Sequence, residues 1–114
     1  MSLTVLEAGE HVTVVALQGK LDATTVTAIQ ADFLKETAGR KKSVIVDMSQ
    51  IGFMASLGIR MLVEAAKGLR SSGHRLVLLK PQPFVERTIV ISGLDAALGV
   101  THDEAEARKL LGAS

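Results

Sequence analysis

Apolar positions along this 114-residue chain recur in two alternating rhythms. Leu3 to Leu6 reads as a short strand that ends at Ala8-Gly9-Glu10. The turn leads into "HVTVVALQG", where Val12, Val14 and Ala16 share one face and Thr13, Val15 and Leu17 the other. Both faces are largely apolar, which predicts an interior strand; the two runs and their short turn predict a hairpin. Asp22 then has the character of an N-cap, opening a helix that extends to about Ala38 with Val26, Ile29, Phe33 and Leu34 on one stripe and Gly39 as its stop. "SVIVDM" is apolar enough for a strand covered on both sides.

A second helix is predicted from about Ser56 to Ser71, its inner stripe made of Ile59, Leu62, Val63, Ala66 and Leu69, with Gly73 as terminator. "RLVLL" is another buried strand. Pro83 suits the first turn of a third helix, with Phe84, Val85, Thr88 and Ile89 inward and Gly93 at its end. "LGVT" reads as a short last strand. Thr101 and Glu104 have the spacing of a capping box before a final helix that packs Ala107, Leu110 and Leu111 inward. The order β-β-α-β-α-β-α-β-α implies an α/β domain over residues 1–114. Its sheet has four to five strands, mostly parallel, with an N-terminal hairpin and about four helices. Functional loops are expected beyond the C-terminal ends of the strands.

Composition narrows the chemistry. Apolar residues make up 47% of the chain, the formal net charge is +1 and the isoelectric point is about 8.1, which argues against a nucleic-acid or membrane-surface protein. Arg40-Lys41-Lys42, the one basic cluster, reads as a solvated loop. The three aromatics are all Phe, too few for a base-stacking platform. Cysteine is absent, which removes disulfides, iron–sulfur clusters and thiol catalysis. No leader-like start and no apolar run of about 20 residues is visible, so a cytoplasmic protein without direct membrane insertion is expected. His11, His74 and His102 lack metal-ligand spacing and read as surface residues, and no cofactor is implied. A Ser56, His74 and Asp47 triad can be written on paper, but the serine lacks a nucleophile elbow, and an enzyme is not expected. Asp47 and Ser49 read as a cap on the turn that leaves the third strand.

The stretch "FMASLGIR" stands where such a functional loop should be, with Ser56 as its only hydroxyl. Asp47-Met48-Ser49, followed by Phe53-Met54-Ala55-Ser56-Leu57-Gly58-Ile59, resembles the hallmark of STAS domains, within them the bacterial anti-sigma-factor antagonists. Gly19-Lys20-Leu21-Asp22-Ala23-Thr24 fits a second family feature. The resemblance implies a non-enzymatic partner switch. Such a protein binds a serine-kinase anti-sigma factor, is phosphorylated by it on a hydroxyl of the motif, and is reset by a serine phosphatase. It makes Ser56 the phosphoacceptor candidate, with a helix-capping role besides. Asp22, Thr24, Ser49, Met54 and Arg60 become candidate partner-binding residues, expected to cluster around Ser56. The chain departs from the motif at Ala55, where the family has Asp, and at Leu57, where it has a second hydroxyl. A STAS subunit of a transporter or of a larger signalling assembly, without a phosphorylation switch, is the alternative.

Overall fold

The longest strand lies at the centre of the sheet and reaches well past the run that announced it. The computed structural model describes residues 2–94 and 98–112. In chain order the elements are β1 (Ser2–Ala8), β2 (Val12–Leu21), α1 (Ala23–Glu36), a 3₁₀ turn (Ala38–Arg40), β3 (Ser43–Met54), α2 (Ser56–Ser71), β4 (Leu76–Leu79), α3 (Pro83–Ile91), β5 (Val100–Thr101) and α4 (Glu104–Leu110). The sheet runs β1-β2-β3-β4-β5. β1 is antiparallel to β2, and every other pair is parallel.

Strands laid down in chain order with crossovers of one hand put the crossover helices on one face. The larger core lies there: Val15, Leu17, Val44, Val46 and Met48 of the strands meet Val26 and Phe33 of α1, Met61, Leu62 and Leu69 of α2, and Val85 and Ile89 of α3. On the other face Val12, Val14, Ile45, Val77 and Leu79 pack under Ala107 of α4, with Leu110 and Leu111 at the margin. The two apolar faces read from β2 are therefore covered by different layers.

Four expectations are corrected. β3 does not stop at Met48. It continues beside β2 by slipping register twice, from Ala16↔Asp47 to Gln18↔Gln50 and from Gly19↔Ile51 to Lys20↔Phe53. Each slip sets one more residue of β3 against β2, the signature of a bulge. Helix α1 ends at Glu36, because the buried Thr37 turns its hydroxyl back to the Phe33 carbonyl at 2.7 Å and the chain tightens into the 3₁₀ turn. The inner stripe of α2 is Gly58, Met61, Leu62, Ala65, Ala66 and Leu69, leaving Ile59 and Val63 half-buried at its margin. The capping box at Thr101 does not form, since Thr101 is paired in β5 with Leu79. Asp103 caps α4 instead, its carboxylate accepting from the N–H groups of Ala105 and Glu106 at 2.8 and 3.3 Å.

Candidate functional site

Leu21 ends β2 and Met54 ends β3, and the two are register partners. One residue further on, the Ala55 N–H donates to the Leu21 carbonyl at 2.9 Å. The two chains thus leave the sheet side by side, and α1 and α2 start next to each other.

The two starts are finished differently. At α1 the Asp22 carboxylate accepts from the Thr25 N–H at 3.0 Å, and the Thr25 hydroxyl accepts from the Asp22 N–H at 3.0 Å. The same hydroxyl reaches the Lys20 carbonyl at 2.5 Å. This reciprocal cap holds the Asp22 carboxyl below the usual carboxylate range. The Thr25 N–H is the main cause, then the Thr25 hydroxyl, and the charge of Lys20 adds a little. At α2 the cap position is occupied by Ala55, which has no side chain to offer. Ser56 is the first residue inside the helix; it is exposed, and its hydroxyl has no hydrogen-bond partner among the described residues. The expected capping role of Ser56 is therefore wrong by one position. A cap needs extended backbone just outside the helix, and the Leu21 bond gives that place to Ala55.

Gly58 explains why α2 can begin so close to the sheet. A Cβ there would lie 2.8 Å from Leu21 Cβ, 3.0 Å from the Leu21 carbonyl oxygen and 3.0 Å from Met54 Cγ. The glycine is a contact surface, and Met54 is a buried packing residue beneath it.

The candidate residues do not form one cluster. Asp22, Thr24 and Ser56 stand at the paired helix starts, and Arg60 is exposed one turn along α2. Met54 is withdrawn into the core. Ser49 lies five strand positions earlier, roughly 15 Å back along β3. There its N–H donates to Asp47 Oδ1 at 2.9 Å within the strand, because the turn that this pair was to cap does not form, and its carbonyl accepts from Gln82 Nε2 at 2.9 Å. Ser49 thus belongs to the start of α3. Two residues outside the candidate set are exposed near Ser56 in the chain: Phe53 and Leu57, 40% and 38% exposed. Strand alternation could have signalled Phe53, because Met54 points inward and its neighbour must point out.

The paper triad does not assemble. Ser56 opens α2, whereas His74 follows its far end, about 24 Å away along a helix of 16 residues. His102 Nε2 instead meets Glu86 Oε1 at 2.6 Å, His11 is exposed and His74 is half-buried. Among the described residues no group of three or more His, Cys, Asp or Glu could hold a metal ion, and no helix is long and apolar enough to cross a membrane.

The sequence matches the STAS domain family over residues 4–107. The chain belongs to the STAS family. Among curated proteins it is similar to BtrV of Bordetella bronchiseptica, named as an anti-sigma factor antagonist, with 26% identity over 70% of this chain and 69% of that one. Among solved structures it is similar to the anti-sigma factor antagonist SpoIIAA in its unphosphorylated form, with TM-score 0.77, 21% identity and 99% of each chain covered. The phosphorylated form of SpoIIAA, from Bacillus, aligns with TM-score 0.70 and 21% identity over 96% of this chain and 99% of that one. An anti-sigma factor antagonist from Mycobacterium paratuberculosis aligns with TM-score 0.81 and 22% identity over 97% and 95% of the two chains. These likenesses describe a common STAS fold.

Proposed function

We propose that this STAS protein is an anti-sigma-factor antagonist: it binds a serine-kinase anti-sigma factor in the cytoplasm, and phosphorylation of Ser56 releases it. The observation that carries the reading is the free, exposed hydroxyl of Ser56 at the start of α2, where no side chain of the described residues competes for it. Relatives named as anti-sigma factor antagonists support the partner class, and SpoIIAA, known in unphosphorylated and phosphorylated forms, supports the type of control.

The local physics suits a switch. A helix start carries about half a positive charge, and α2 has no acidic residue in its first turn. A phosphate there adds about −1.5 to −2 charge at a point where the fold tolerates it. A partner seated over Phe53, Ser56, Leu57 and Arg60 would have to desolvate that charge, so binding fails while folding survives. A serine phosphatase would restore the hydroxyl.

The test is incubation with the cognate kinase and ATP, followed by intact-mass measurement and a binding titration. One added phosphate on wild type, none on Ser56→Ala, and loss of kinase binding on phosphorylation are expected. No mass gain on wild type, with phosphorylation of an Ala55→Asp, Leu57→Ser variant, would overturn the switch. The protein would then be a constitutive binder, as a STAS subunit of a transporter or of a larger assembly would be.

A further inference from the structure

Among the described residues, three of the six exposed large apolar side chains stand together on one helix, away from Ser56. Ile91, Phe84 and Val90 are 77%, 59% and 50% exposed, and all three belong to α3, a helix of nine residues. At 100° per residue α3 turns Val85 and Ile89 to the core. Pro83, Phe84, Val90 and Ile91 then share the opposite side with a single charged residue, Arg87. Phe84 was expected to point inward; the helix instead sits with Val85 and Ile89 down. Side chains that are apolar, exposed and grouped on one face of a helix mark an interaction site. The flank is already committed, since Glu86 is paired with His102 at 2.6 Å.

We infer that the outward face of α3 is a docking surface for a second protein, whose contacting segment places one carboxylate within an apolar stripe. The position of Arg87 selects this occupant. It is the middle residue of Pro83–Ile91, so a two-fold axis through the centre of the face would set Arg87 against its own copy. Like charges facing each other oppose a homodimer there. An anionic lipid surface would call for several cations, whereas this face has one, with Glu86 beside it. A partner helix with an Asp or Glu among Leu, Ile or Val would cover the apolar residues and pair the guanidinium, for which no described carboxylate is within ion-pair distance. The inference does not rest on phosphorylation of Ser56. The surface would let the protein hold one partner through α3 while another is exchanged at α2.

The experiment places a photoreactive p-benzoylphenylalanine at Ile91 of the full chain in its native cells. After irradiation the cross-linked peptide is identified by mass spectrometry. A discrete adduct whose peptide contains a carboxylate among apolar residues is expected. Its yield should fall at least tenfold in Arg87→Glu and persist in Ser56→Asp. Circular dichroism of each variant keeps a folding defect from being misread. Adducts to a second copy, to lipid, or to nothing overturn the inference. So does an adduct indifferent to Arg87→Glu, and one abolished by Ser56→Asp would show that this face is not a separate surface. Failure of Ser56 phosphorylation leaves this result untouched, so the two readings can fail separately.

Discussion

The Ala55 N–H bonds the Leu21 carbonyl at 2.9 Å, and this one bond joins the ends of two parallel strands at the point where both become helices. It makes Ala55 the cap residue of α2 and moves Ser56 inside the helix, with its hydroxyl facing solvent. The helix start therefore lacks the side-chain acceptor that Asp22 supplies to α1.

Ala55→Asp should fill that lack. Asp is among the best N-caps, and exchanging it with Ala is worth about 0.5–2 kcal/mol. The variant should be more stable by about 1 kcal/mol, read as a rise in urea midpoint with unchanged slope. No gain would mean that the first-turn N–H groups are already satisfied.

Gly58→Ala should do the opposite. The added methyl would meet Leu21 and Met54 at 2.8–3.0 Å, and one of the three contacts is a backbone carbonyl. Overpacking of this kind typically costs about 1–3 kcal/mol. Thermal unfolding should show the loss. Because α2 would have to shift, the amide shifts of Ser56 and Leu57 should move as well, and a variant as stable as wild type would contradict the contact.

The Asp22 carboxyl sits below its ordinary range because the folded state donates to its charged form, above all through the Thr25 N–H. A depressed carboxylate contributes stability that is fully present above its unfolded value, near about 4, and is lost as pH falls through the folded value. Asn is also a good cap but has no charge to lose. The stability difference between wild type and Asp22→Asn should therefore be larger at pH 7 than at pH 3. Glu7, depressed chiefly by its bond to Arg108, titrates in both proteins and cancels in the comparison. Urea midpoints at the two pH values decide it; a constant difference would rule out the bond to the carboxylate.

Thr13 is fully buried in β2, and its hydroxyl has no partner among the described residues. Leaving such a group unpaired costs about 1–3 kcal/mol. Thr13→Val keeps the shape and the β-branched character, so it should stabilise by about 1 kcal/mol and raise the melting temperature by a few degrees. A lower melting temperature would mean that the hydroxyl has a partner, such as a buried water.

Ser56→Asp tests the proposed switch on the protein side. A carboxylate in the first turn of α2 is favoured by the helix dipole by about 0.3–1 kcal/mol, so unfolding should change little. Affinity for the anti-sigma partner should fall by tenfold or more, since each 1.4 kcal/mol of charge desolvation is about a factor of ten. Unchanged affinity by calorimetry would remove Ser56 from the interface.

What the sequence by itself determined is what local periodicity encodes. The order of strands and helices, the hairpin, the two apolar faces of β2, the Asp22 cap and the span Ser56–Ser71 of α2 are all set by side-chain alternation and by stop and start residues within a few positions. The STAS motif likewise lay in the open, because it is carried by short runs, 19–24, 47–49 and 53–59, each read by local spacing. Tertiary structure decided the rest. The extension of β3 to Met54 needs β2 alongside, since bulges have no signature in one strand alone. The cap of α2 passed from Ser56 to Ala55 through a bond to a residue 34 positions earlier in the chain. The inner stripe of α2 rolled towards Gly58, Met61 and Ala65, and Gly58 lets the helix approach Leu21 and Met54 closely. Met54 and Ser49 left the candidate surface for different reasons: packing under α2 buries Met54, and its place along β3 sets the half-buried Ser49 beside Gln82 at the start of α3. Sequence spacing places residues along a strand, and only the packing of helices against that strand decides which of them meet.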